Sequence, residues 1–372
     1  MKPDRIHSLT GLRAVAALTI FCSHLLYLAE TPFHGLYSLI DNGRLGVNFF
    51  FLLSGFVLAL GYSKKLNAFD FARDVRFVKK RVSKIYIPYL ITMVLAVPLY
   101  IHNAALGEGS LNAGLMVIHL LFNIGMVQSV IPFLKYSTSI NDVSWFLSTI
   151  FILYLLTPGI LRLNNKAAKR CTLRKLVYLT AAVVAFYCCV YMVIGQIEFV
   201  RFADRGLSII YRSPLIRLFP FLLGIIAYDI YCLSGRFRIK NASAVEISGI
   251  ALFLLWWVFA DQSGLPTLLT ECADMLISML VVLIFAFSRD GIVSGLLSKE
   301  KVLEWGTISL EFYLVHYLII HYGVLAAQHF GLDKGIAALP LALLFFVLSL
   351  YGARLLHSIT ERLISVLRKE KT

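Results

Sequence analysis

The feature that most constrains this chain is a series of apolar runs, each long enough to cross a membrane, that recurs from end to end. A helix rises about 1.5 Å per residue, so about 20 apolar residues cross the ~30 Å hydrocarbon core of a bilayer. Backbone groups in lipid must satisfy one another, which predicts an all-α fold, a polytopic transmembrane helical bundle. We expect ten spans, at 11–29, 44–62, 85–101, 142–163, 176–194, 214–233, 243–260, 271–288, 305–326 and 336–357.

The composition excludes a soluble globular domain, because 59% of the residues are hydrophobic and only 15% are charged. One more apolar stretch, 113–134, is interrupted by Gly125 and Pro132, so we expect it to be re-entrant or interfacial. We expect the first span to stay uncleaved, since no small-x-small motif follows it before the second span. Residues 1–372 are thus predicted to form a single integral-membrane domain.

The basic residues predict the orientation. With ten spans both termini lie on one side, and the termini and loops of that side carry 26 of the 35 Lys and Arg. The opposite loops carry six. The positive-inside rule therefore places both termini in the cytoplasm of a multi-pass protein of the cell inner (plasma) membrane. The net charge of +14 follows from this topology and does not indicate a nucleic-acid partner.

Three arginines fall on the opposite, outer side in one long loop: Arg201, Arg205 and Arg212. They can contact an anionic glycan or lipid headgroup through charge-assisted hydrogen bonds. Solvated loop charges explain them equally well, and we prefer that interpretation.

Two ionisable residues, Arg13 and His24, lie within the first span. Eleven helical residues turn about 1100°, within about 20° of three whole turns, so both side chains share one face, roughly 16 Å apart along the axis. Ionisable groups inside lipid are costly and mark functional sites. We interpret the pair as part of a site, against the alternative of a snorkelling arginine and an unrelated buried histidine.

Two further segments concentrate polar chemistry. Between the second and third spans, an expected inner loop can hold the phosphates of a soluble anionic cofactor or rest on anionic lipid; it contains Arg73, Arg76, Lys79, Lys80, Arg81 and Lys84. In the second span, Gly46 and Gly55 permit close backbone approach, while Asn48 and Ser54 place polar groups at membrane depth. Ordinary helix packing is the alternative for this second segment.

Other candidates carry weaker signals. Trp145 can stack on a sugar at a membrane entrance, although tryptophan is common at interfaces. His316 and Glu311 lie in the ninth span, where they form either a site or a paired buried network. The six cysteines show no metal-ligand or disulfide spacing, so we expect no metal site.

Taken in order, these segments resemble membrane-bound acyltransferase family 3. The family's Arg-x10-His pattern matches Arg13 and His24. Further resemblances, each weak alone, follow in the family's order at Gly46, Val47, Phe50, Phe51, Ser54 and Gly55, at Lys80, Arg81, Lys84, Ile85 and Pro88, at Trp145 and Leu147, at Arg217, Phe221 and Gly224, and at Ser309, Tyr313 and His316.

The resemblance implies an O-acyltransferase that moves an acyl group, most often acetyl, from cytosolic acyl-CoA to a hydroxyl of a cell-surface or exported polysaccharide. Acyl-CoA is then a co-substrate, with no bound cofactor, and the partners are the donor, a glycan or lipid-linked glycan acceptor and membrane lipids. His24 is the expected catalytic base, since neutral imidazole takes up a proton near pH 7.

The other site residues follow from the same resemblance. We expect Arg13, Lys80, Arg81 and Lys84 to bind the donor, with its pantetheine arm along the Arg13–His24 face. We expect Ser54, Trp145 and His316 to contact the substrates.

The chain departs from the family pattern where carboxylates are frequent, with Asn48, Ile150 and Pro220 in their place. No SGNH esterase-like domain is evident. Two other functions remain open, a transporter of lipid-linked sugars or small anions and an acyltransferase of a small secondary metabolite such as a macrolide sugar.

Overall fold

The computed structural model describes residues 6–106, 113–131, 133–168, 171–196, 207–234, 239–288 and 290–369. Arg201 and Arg205 lie outside these ranges. The first eight helices are α1 (His7–Ser23), α2 (His34–Ile40), α3 (Arg44–Tyr62), α4 (Phe71–Leu106), α5 (Ala113–Ile124), α6 (Leu134–Ser137), α7 (Trp145–Ala168) and α8 (Leu173–Gln196). The other eight are α9 (Leu207–Arg212), α10 (Pro214–Leu233), α11 (Ala242–Phe259), α12 (Thr267–Phe287), α13 (Ile292–Leu297), α14 (Glu300–Thr307), α15 (Ser309–His329) and α16 (Ala338–Lys369).

The predicted all-α membrane bundle is confirmed. Across the described ranges, nine helical segments are long and apolar enough to cross a membrane, and α1 is slightly shorter at 17 residues. The segment expected to be re-entrant or interfacial contains α5, whose 12 residues rise only about 18 Å, well short of the hydrocarbon thickness.

The first helix ends earlier than the sequence pattern indicates. We expected a span to residue 29, but α1 ends at Ser23 and a 3-10 turn follows at Leu26–Glu30. Ser23 Oγ donates to the carbonyl of Ile20 at 2.8 Å, and His24 Nδ1 bonds the same carbonyl at 2.8 Å. Both side chains bond the Ile20 carbonyl, which would otherwise accept a backbone hydrogen bond of a continuing helix, and they therefore favour the end of α1 at this point.

The basic segment after the second span is helical and not a loop, which corrects our expectation. The helix α4 begins at Phe71, where Asp70 Oδ1 accepts a hydrogen bond from the backbone N–H of Arg73 at 3.0 Å. A carboxylate at this position caps a helix and compensates its positive end. The cationic side chains therefore stand on a rigid helix that continues into the membrane span.

The helix α3 lies at the centre of the bundle, with 72% of its most apolar window buried, whereas the same measure is 6% for α8. Glycines let its neighbours approach closely. A methyl group on Gly55 would meet the backbone carbonyl of Phe221 in α10, and one on Gly46 would meet Thr19 in α1. The expectation of close backbone approach at both glycines is confirmed, and this packing fixes α1, α3 and α10 around the polar sites.

Candidate active site

Two cavities of about 440 Å³ each lie at opposite ends of α1. The first, here called the basic-end cavity, opens where α1 begins, α3 ends and the basic start of α4 lies. It is lined by Ile6, Leu9, Thr10, Arg13, Phe50, Leu53, Ser54, Val57, Leu58, Leu60, Gly61, Tyr62, Lys65, Arg81 and Tyr154. Its volume lies within the range of small-molecule sites, roughly 300–1,000 Å³.

Cationic side chains line the basic-end cavity. Arg13 and Arg81 both reach it, as does Lys65. The Arg81 guanidinium carbon lies 4.8 Å from the ring centre of Tyr62, and its Nε is buried without a hydrogen-bond partner among the described residues. Because a buried guanidinium N–H normally has an acceptor, Arg81 fits an anionic ligand that supplies one.

The two lysines that we expected to bind the donor lie outside the basic-end cavity. Lys80 and Lys84 are exposed on α4 and are not part of the cavity lining. Ser54 lines the cavity, but its hydroxyl donates to the carbonyl of Phe50 at 2.7 Å. An anionic ligand in the cavity would therefore meet Arg81 and Arg13 first, with the exposed lysines in the solvent around it.

The second cavity, here called the far cavity, contains His24. It is lined by Ser23, His24, Leu26, Tyr27, Glu30, Tyr37, Asp142, Tyr317, Ile320, His321, Val324, Gln328, Asp333 and Lys334. Hydroxyl, carboxylate and imidazole groups alternate with apolar side chains here, as in sites for polar ligands. Arg13 and His24 therefore line different cavities, although both belong to the first membrane segment.

The His24 imidazole is held by two contacts through one nitrogen. Its Nδ1 lies 2.8 Å from the carbonyl of Ile20 and 3.3 Å from Nε2 of His316. A carbonyl only accepts, so His24 Nδ1 carries the proton and donates it. His316 is fixed in the same way, because its own Nδ1 lies 3.2 Å from the carbonyl of Phe312.

These contacts define the tautomer of both rings. With Nδ1 protonated on His316, its Nε2 is bare and accepts from His24. On a neutral His24 with Nδ1 protonated, the other nitrogen, Nε2, carries no proton and is the basic nitrogen of that ring. The ring thus has the tautomer a general base needs, set by a backbone carbonyl and by a second histidine. His316 is fully buried, so it contacts His24 and does not reach the cavity.

Sequence reasoning missed several far-cavity residues. Asp142 precedes α7 and lies 3.7 Å from Arg212, the described member of the outer arginines. Tyr317 and His321 follow His316 on α15, and the Tyr317 ring lies 5.8 Å from that of His24. The sequence held one signal for Tyr317 and His321, because both follow His316 closely within the ninth predicted span.

Trp145 lines neither of the two cavities. It is 4% exposed and packs against Tyr211 at 5.1 Å between ring centres, with the Arg212 guanidinium carbon 6.0 Å away. In this arrangement its ring supports the start of α7 and the position of Arg212. The predicted contact with a sugar remains a prediction.

Arg217, the buried cation in the sixth predicted span, pairs with a carboxylate from a different helix. Arg217 Nη1 lies 3.1 Å from Glu271 Oε2 and donates to Asn48 Oδ1 at 2.7 Å. Asn48 Nδ2 donates to Glu271 at 3.0 Å, and Trp256 Nε1 donates to Asp274 at 2.7 Å. Asn48 stands where the family often has a carboxylate, and in this chain two acids of α12, Glu271 and Asp274, contact it instead. Sequence reasoning missed these acids, although both interrupt an apolar span.

The two polar residues of the ninth span have separate partners. Glu311 Oε1 lies 2.7 Å from His357 Nδ1 of α16, whereas His316 contacts His24. Of the two alternatives, Glu311 belongs to a paired network and His316 to the environment of the candidate base.

A family model described as an acyltransferase domain, that of acyltransferase family 3, matches residues 6–357. The chain belongs to this family. It is 28% identical to the acyltransferase MdmB of Streptomyces mycarofaciens over 96% of this chain and 91% of that protein. It is also 34% identical to protein 2 in the picA locus of Rhizobium radiobacter, over 28% of this chain and 51% of that protein.

No solved structure matches the chain significantly. Membership in the acyltransferase family confirms the resemblance in the sequence and makes this chain a multi-pass membrane enzyme that transfers acyl groups. An acyl transfer requires an acyl donor and an acceptor.

Proposed function

We propose that this acyltransferase takes an acyl group, most readily acetyl, from cytosolic acyl-CoA and transfers it to a hydroxyl of a cell-surface or exported polysaccharide. The observation that carries the proposal is the pair of cavities at opposite ends of α1, one lined by arginines and the other by His24. A cytosolic donor and an external acceptor need separate entrances. The positive-inside bias supports the cytoplasmic side for the basic end and for both termini.

The donor fits the basic-end cavity through its phosphates. Arg13 and Arg81 supply the cationic groups, and guanidinium binds phosphate oxygens through paired hydrogen bonds. Lys80 and Lys84 stand on the exposed surface of α4, where they raise the local concentration of an anionic donor. No resident cofactor is required, because the donor itself carries the activated thioester.

The chemical step uses His24 as the base. Nε2 accepts the proton of the acceptor hydroxyl while that oxygen attacks the thioester carbonyl carbon. The new C–O bond forms, the C–S bond breaks, and the CoA sulfur leaves with the proton returned from His24. The Ile20 carbonyl and His316 hold the ring and stabilise the transient positive charge.

The test is the acyl content of surface polysaccharide. A deletion strain of the host is complemented with wild type or with His24→Ala, and O-acyl signals are measured by NMR. We expect the signal to be lost on deletion and restored by wild type alone. Unchanged acylation with altered polysaccharide export would refute acyl transfer to the polysaccharide and favour transport. If the acyl group is found only on an extracted small molecule, that molecule and not the polysaccharide is the acceptor.

A further inference from the structure

The basic-end cavity ends well before His24. Its lining from α1 runs from Leu9 to Arg13, just after Ile6, and its lining from α3 runs from Tyr62 back to Phe50. Because α3 runs opposite to α1 here, Arg13 and Phe50 are the deepest lining residues of the two helices. From Arg13, about 16 Å of α1 remain before His24. A donor held by the arginines must cross this interval to present its thioester to the base.

A continuous series of aromatic contacts fills the interval. Ring centres lie 6.2 Å apart between Phe50 and Phe146, 5.2 Å between Phe146 and Tyr313, and 5.7 Å between Tyr313 and His316. His316 then contacts His24. Phe146 and Tyr313 line neither of the two cavities. The rings therefore separate the place where the donor fits from the place where the base lies.

The rings differ in how firmly they are held. The Tyr313 hydroxyl donates to the carbonyl of Val143 at 2.7 Å, and His316 is fixed by the carbonyl of Phe312. Phe50 and Phe146 carry no polar group, so only packing holds them, and they retain 9% and 8% exposure. A phenyl ring can move without leaving a buried polar group unpaired, whereas moving Tyr313 or His316 would break a hydrogen bond.

We propose that Phe50 and Phe146 form a partition that the acyl-pantetheine arm displaces to reach His24, and that this partition limits reaction of the thioester with water. The proposal rests on the proposed function, since it assumes a thioester donor in the basic-end cavity. Closed active sites prevent hydrolysis of reactive groups by excluding water. In the side reaction, a water oxygen attacks the thioester carbonyl, the C–S bond breaks, and free acid and CoA are released.

The test uses three matched substitutions in the full-length protein, purified in lipid nanodiscs. Phe50→Leu and Phe146→Leu remove the partition rings but keep an apolar side chain. Phe56→Leu is the control, because Phe56 is a fully buried α3 residue that packs instead on Tyr228 and Tyr231. CoA release from acetyl-CoA is measured by chromatography without any acceptor, and size-exclusion profiles verify folding.

We expect acceptor-independent CoA release to rise at least about threefold in the two partition variants and to stay at the wild-type rate in Phe56→Leu. Equal rates in all four proteins, or an equal rise in Phe56→Leu, would overturn the partition. Failure of the proposed function appears differently, as wild-type protein that neither binds acetyl-CoA nor transfers acetyl to purified polysaccharide.

Discussion

The contact between His24 and His316 makes a quantitative prediction about catalysis. In His316→Phe the ring packing against Phe312 and Phe21 is retained, but the Nε2 acceptor 3.3 Å from His24 Nδ1 is lost. His24 Nδ1 keeps its shorter bond of 2.8 Å to the Ile20 carbonyl. A net hydrogen bond contributes about 0.5–1.5 kcal/mol, which corresponds to a roughly 2- to 13-fold lower kcat.

Removing the imidazole of His24 itself should lower kcat much more. General-base catalysis accelerates a reaction about 10²- to 10⁴-fold, so His24→Ala should lower kcat by a factor in that range. The assay follows labelled acetyl from acetyl-CoA to purified polysaccharide in reconstituted vesicles at saturating donor. The matched control for His316→Phe is His329→Phe, because His329 is an exposed histidine on the same helix as His316, α15. This control variant should transfer acetyl at the wild-type rate.

Two results would refute this assignment of roles. If His316→Phe is as inactive as His24→Ala, His316 takes part in the proton transfer directly. If His316→Phe retains the full wild-type kcat, the observed contact does not position the base.

Three further predictions concern binding and stability. Arg13→Ala should raise the Kd for acetyl-CoA roughly 13- to 160-fold in calorimetry, since a charge-assisted hydrogen bond contributes about 1.5–3 kcal/mol, and an unchanged Kd would remove Arg13 from the donor site. Glu271→Leu should lower Tm by at least about 5 °C by leaving the buried Arg217 without its carboxylate, and combining it with Arg217→Met should recover most of the loss; no recovery would contradict the pairing. Gly224→Ala should lower Tm because its methyl group meets the Leu52 carbonyl, whereas Gly159→Ala, which has open space, should not; equal Tm values would contradict close α3–α10 packing.

Much of the site was predictable from residues that are costly in lipid. Arg13 and His24 were identified because an ionisable residue inside an apolar run usually has a functional role. The same rule applied to Glu271 and Asp274 would have found the acids of the buried network around Arg217 and Asn48, since both interrupt the apolar span of α12. The pairing itself was beyond the sequence, because 54 residues separate Arg217 from Glu271.

Local sequence determined the class of fold, because apolar length acts residue by residue on insertion into lipid. It predicted ten spans, of which nine are long and apolar enough in the described part of the chain, while α1 is shorter at 17 residues. The side on which the basic residues lie stays a prediction from the charge distribution. Helix boundaries were less well determined. The early end of α1 depends on side chains that bond the Ile20 carbonyl, and the helical start of α4 depends on Asp70.

Tertiary structure alone decided which polar groups meet. It placed His316 against His24 across 292 positions of the chain, and it put Arg13 and His24 into different cavities although they share one membrane segment. It also set the aromatic series between them, with rings from α3, α7 and α15. Such contacts arise from the packing of helices that are distant in sequence, and that packing depends on glycines and side-chain shapes on several helices at once.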